Sequence, residues 1–97
     1  MTADSLASSL RALAALVGDS GFLSQARWLL ECAERLEGSD GAAAREAARD
    51  FTHRVAGMGS LSDLPLTPAH GLSKLEAERR YIEELDRADA IARDLLT

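Results

Sequence analysis

The sequence predicts an all-α protein, a small four-helix bundle. Three observations carry this. Apolar residues recur at three- and four-residue spacing in four segments, and none alternates with period two. Alanine and leucine dominate the apolar set, while aromatic residues make up only 4% of the chain, which favours helix over strand. Ninety-seven residues make one domain, 1–97, with a modest core.

The first helix is expected from about Ala3 to Val17, on a stripe of Leu6, Leu10, Leu13 and Val17 widened by Leu16. Thr2 or Asp4 can cap it, and Gly18 is expected to end it in the left-handed conformation. The second runs from about Gly21 to Glu37, capped by Asp19 or Ser20. Its stripe is Phe22, Ala26, Leu29, Leu30, Ala33 and Leu36. Trp28 falls out of phase, which makes it either a second packing face or a contact residue.

The third helix, about Ala42 to Ala56, follows Ser39 or Asp40. Its face of Ala43, Ala44, Ala47, Phe51 and Val55 allows close helix approach, and Gly57 is the expected stop. The last carries Leu72, Leu75, Ile82, Leu85, Ala92 and Leu96, with Tyr81, Ala88 and Leu95 beside them. Two starts compete: Ser73 with Glu76 as a capping box, or Thr67 with Pro68 in the first turn. At about 25 residues this helix outreaches the others, which run to about 15. Leu95 and Leu96 at its end are expected to be exposed and to mediate a homodimer.

A net charge of −5 disfavours nucleic acid and suits a basic protein partner. Arginine outnumbers lysine ten to one, a sign of a GC-rich bacterial genome. Cys32 is the single cysteine, so no internal disulfide can form and a cytoplasmic location is expected. Asp4 stands where a signal peptide would be basic, and no apolar run is long enough to cross a membrane. Trp28 is followed by Leu29 and Leu30, so the Trp-x-Gly turn of secreted helical hairpins is absent.

Catalytic chemistry finds little support. Glu31–Arg35, Asp50–Arg54, Glu76–Arg80, Glu83–Arg87 and Asp89–Arg93 are acid-before-base pairs four residues apart, expected to form a self-paired solvated surface. Cys32, His53 and His70 lie on three elements without metal-ligand spacing. No enzyme activity, metal or cofactor is expected. A nucleophilic pair of Cys32 with His53 or His70 is the weakest of the functional alternatives.

The segment 57–71, GMGSLSDLPLTPAHG, is long for a helix connection and carries four apolar side chains. It reads either as a clasp over the long last helix or as a binding loop on a rigid scaffold. Met58, Ser60, Leu61, Asp63 and Leu64, with Trp28, are the candidate partner contacts. The stretch Gly57 to Leu64 resembles a group of small, functionally uncharacterised bacterial helical proteins. Those carry Gly-Met-Gly-Ser-(Leu or Phe)-Asn-Asp-Leu before their last helix; Ser62 replaces the Asn here. The resemblance implies a helical fold. Small acidic bacterial proteins of this type are often immunity proteins for secreted toxins, an association by type alone. The expected function is therefore a non-catalytic protein-binding module of immunity type, the alternative a self-associating scaffold protein.

Overall fold

The computed structural model describes residues 3–38, 41–56 and 73–97. Among these there are four helices and no strand: α1 (Ala3–Asp19), α2 (Leu23–Glu37), α3 (Gly41–Ala56) and α4 (Lys74–Leu96). Each packs on its neighbours in cyclic order, α4 closing against α1. Cross-helix partners fix the directions. Arg11 pairs with Glu37 while Gly18 lies by Ala26, so α1 and α2 run antiparallel. Arg35 meets Asp50 while Trp28 meets Arg54, so α2 and α3 do too. The first half of α1 faces Ile91, and its second half faces Arg80 and Glu83, so α1 and α4 are also antiparallel.

The core is built from the expected stripes. Leu6, Leu10, Leu13 and Val17 of α1 and Leu29 of α2 are fully buried. Each contributes roughly 1.5–3 kcal/mol in removing its side chain from water. Phe51 is the largest fully buried side chain and belongs to the same core cluster as Ala47 and Ala48 on α3 and Tyr81, Leu85, Ala88 and Ala92 on α4. Ala47 and Ala48 on α3 and Ala77, Ala88 and Ala92 on α4 are small buried side chains of the kind that allow helices to pack closely.

Several boundaries and phases differ from expectation. The positive φ falls on Gly21 (φ 91°), not on Gly18. Phe22 N–H donates to Val17 O and Gly21 N–H to Gly18 O, each at 3.0 Å. That is a Schellman closure, with Gly21 at the one position a side chain resists. Phe22 then serves at once as the residue closing α1 and as the N-cap of α2. Its side chain makes no capping hydrogen bond, and it packs on the core instead. Asp19 and Ser20 are therefore not the cap of α2: the turn is too short to leave them at its N-terminus.

The start of α4 is Ser73, whose Oγ accepts from Glu76 N–H at 3.1 Å; the Thr67–Pro68 alternative is set aside for the described helix. Its buried face is rotated from the expected stripe. Ala77, Tyr81, Leu85, Ala88, Ile91 and Ala92 point inward, leaving Leu75 67% and Ile82 55% exposed. Leu95 and Leu96 are half-buried against the molecule's own core, not exposed. Because α4 runs antiparallel to α1, its last turns come over the start of that helix. The overhang is thus at the N-terminal end of α4, where residues 73–76 are all exposed. Gly57, Leu72 and the expected clasp of 57–71 lie outside the described residues.

Candidate interaction surface

Two features of the described surface have the geometry of a binding site. The first is the α2–α3 seam. Trp28 sits on the flank of α2 facing α3, half-buried, and the Arg54 guanidinium lies over its ring at 4.8 Å from the centroid. This places Trp28 as a second packing face with one edge open, a cation–π contact of the kind worth about 0.5–1 kcal/mol where exposed. About two turns further along α2, Arg35 reaches Asp50 at 3.1 Å and lies 3.8 Å from Glu46. The arginine thus bridges two carboxylates of the neighbouring helix.

The second is a groove between α1 and α4. Ala12, Ala15 and Leu16 form its floor, with Arg80, Glu83, Glu84 and Arg87 along the wall, enclosing about 350 Å³. It continues toward Ile91 past Ser5, Ser8 and Ser9. Glu84 and Arg87 pair at 3.2 Å, so opposite charges close on themselves along the wall. Among the described residues, neither a thiol nor an imidazole lines the groove.

Exposed apolar side chains mark the outer surface. Leu23 (69% exposed) and Leu30 (43%) are seven residues apart on α2; Leu75 and Ile82 have the same spacing on α4. Leu30 was expected in the core. It falls at the edge of the α2 stripe, and the 1% exposed Cys32 takes the inward position beside Leu29, Ala33 and Leu36.

Cys32 is buried, and desolvation pushes its thiol from the ordinary 9.0 up to about 11. Arg35 and Arg54 pull the other way and are outweighed. A thiol held protonated is a poor nucleophile. His53 is exposed on α3, and His70 lies outside the described residues. No group of three His, Cys, Asp or Glu among the described residues could hold a metal ion. Among the described residues no helix is long and apolar enough to cross a membrane.

Of the six sequence-derived contact candidates, Trp28 is placed as above; Met58, Ser60, Leu61, Asp63 and Leu64 lie outside the described residues. The expected charge pairs are only partly formed. Asp89–Arg93 is present at 2.9 Å. Arg87 takes Glu84 rather than Glu83, while Asp50 takes Arg35 and Arg54 covers Trp28. For Asp50 and Arg54 the reason is geometric: a partner across the α2–α3 seam competes with one on the same helix, and here it wins. The exposure of Leu75 and Ile82 was hidden in sequence, because their phase is as regular as that of the buried row. No protein-family model matches the chain, and no curated protein or solved structure is significantly similar to it.

Proposed function

We propose that this protein is a non-catalytic protein-binding module. The observation that carries this is the pair of outward apolar ladders, Leu23/Leu30 on α2 and Leu75/Ile82 on α4. Single exposed apolar residues are ordinary, but repeated ones on one helical phase support a contact surface. The immunity-type reading is the specific form of this proposal. Its support is the −5 net charge, which favours encounter with a basic toxin domain, and a secreted-toxin gene beside this one would strengthen it.

The test is affinity capture from the source cells with wild type, Leu30→Ser and Ile82→Ser. Both side chains are already about half in water, so the variants should melt within about 1 kcal/mol of wild type. A partner retained by wild type and lost by one variant supports the proposal. Three identical capture profiles would refute it.

A second reading is favoured by one of the same ladders: self-association, with Leu75 and Ile82 of α4 packing on a second copy. This moves the expected C-terminal-helix contact away from Leu95 and Leu96. Sedimentation equilibrium decides it, since a dimer that Ile82→Ser dissolves supports self-association and a monomer at high concentration removes it.

A further inference from the structure

The charges within the helices follow one rule with a single unreconciled exception. Wherever two charged residues stand four apart in a described helix, from Arg27–Glu31 on α2 to Asp89–Arg93 on α4, they carry opposite signs. Two pairs on α3 break this: Glu46–Asp50 and Arg45–Arg49. The acidic pair is explained, because both carboxylates turn to Arg35 of α2. The basic pair has no such answer. Arg45 and Arg49 are exposed, and among the described residues no ion pair reaches either. Glu46 and Asp50, the nearest acids on the same helix, are drawn toward the seam. Four residues beyond Arg49 stands His53, also exposed.

Like charges four apart on a helix repel and cost helix stability. A local rule broken with no compensation among the described residues is expected where a binding partner supplies it. α3 is also the one described helix whose arginines (Arg45, Arg49, Arg54) outnumber its acids (Glu46, Asp50), in a chain that is otherwise acidic.

We infer that the outward face of α3 is a docking surface for an acidic protein segment, with Arg45 and Arg49 as its anchors and His53 beside them. Successive positions on this face are about 6 Å apart, the spacing of carboxylates at every fourth residue of a helix. Arginine forks suit carboxylates, with two parallel hydrogen bonds each. A nucleic acid would offer the same anionic chemistry, but the acidic remainder of the molecule repels a long phosphate chain more than a short acidic segment. The inference rests on the binding-module reading and adds the chemistry of one partner face.

The test measures binding of a labelled poly-glutamate peptide by fluorescence anisotropy at low salt. Wild type should bind, and added salt should weaken the complex. Arg45→Glu should weaken it at least about tenfold, a 1.4 kcal/mol effect. The same change places an acid four residues before Arg49, so the variant should melt no lower than wild type. Should that variant not fold, Arg45→Gln and Arg49→Gln carry the same comparison without charge reversal. No binding by wild type, or equal binding by the variants, overturns the inference. Tighter binding of single-stranded DNA than of poly-glutamate overturns the assignment to an acidic protein. A partner captured equally by wild type and Arg45→Glu would remove α3 from the interface while leaving the binding-module reading intact.

Discussion

Gly18 and Gly21 lie three residues apart at the α1–α2 junction, and alanine should act in opposite directions at the two. Gly21 has φ +91°, and a Cβ there meets nothing within 4 Å. The cost of Gly21→Ala is therefore conformational, not steric. A left-handed L-residue costs roughly 1–2 kcal/mol. Restricting the unfolded chain returns about 0.4–1 kcal/mol of that. The net should be a loss of about 1 kcal/mol. Gly18 lies inside α1, and its Cβ would sit 3.5 Å from the Ala26 Cβ, an ordinary contact. Alanine there should stabilise by about 0.5–1 kcal/mol, by removing glycine's helix penalty. The two variants should thus differ by about 1.5–2 kcal/mol, on the order of 10 °C in melting temperature for a domain of this size. Thermal melts followed by circular dichroism at 222 nm (the helix band) read this directly. Equal melting temperatures, or Gly18→Ala the less stable, would show that the closure is not the one described.

Other expectations follow from the core and its titratable groups. Phe51→Ala should cost about 3–5 kcal/mol, because removing a fully buried ring leaves a cavity; a loss of less than about 1 kcal/mol in urea unfolding would contradict that burial. Cys32 should react with a thiol reagent far more slowly in the folded protein than in urea, and equal rates would place the thiol outside the core. Its raised pKa has a definite sign: the unfolded thiol ionises near 9.0 while the folded one holds its proton to about 11. The contribution is fully present below pH 9.0 and is lost as pH rises through about 11. Burial raises the Tyr81 phenol in the same direction. Urea unfolding should thus show stability falling above pH 9, less steeply in Cys32→Val. Arg54→Ala should redden Trp28 emission by opening the ring to water, and an unchanged spectrum would mean the guanidinium does not cover it.

Four helices were legible because each carries an apolar stripe of the right period, and the stripe of α1 needed no correction. α4 was legible as a helix but not in phase. Leu75 and Ile82 compete with Tyr81 and Ala88 for the positions beside Leu85, and hydrophobicity alone favours the wrong candidates. The inward row is the one that sets Ala77, Ala88 and Ala92 among Tyr81, Leu85 and Ile91, a mix of small and large side chains that suits packing against both α1 and α3. The Gly21 closure was hidden for another reason. Gly18 and Gly21 are both plausible stops, and the choice is made by Phe22, which can enter the core only if the chain reverses after Ser20.

The surface was less legible because charge pairing is decided across seams. Arg35 has acids one turn away on its own helix at Glu31 and across the seam at Glu46 and Asp50, and sequence spacing exposes only the first. Once the seam claims Glu46 and Asp50, the neighbours of Arg45 and Arg49 change character. A pair that reads as part of a mixed, self-neutralising helix becomes two cations with nothing described to meet them. That consequence could not be reached by counting charges, since the whole chain is acidic. It needed the identity of one cross-helix partner, and the same knowledge turns a like-charge pair from a sequence detail into a surface that charge reversal can test without unfolding the protein.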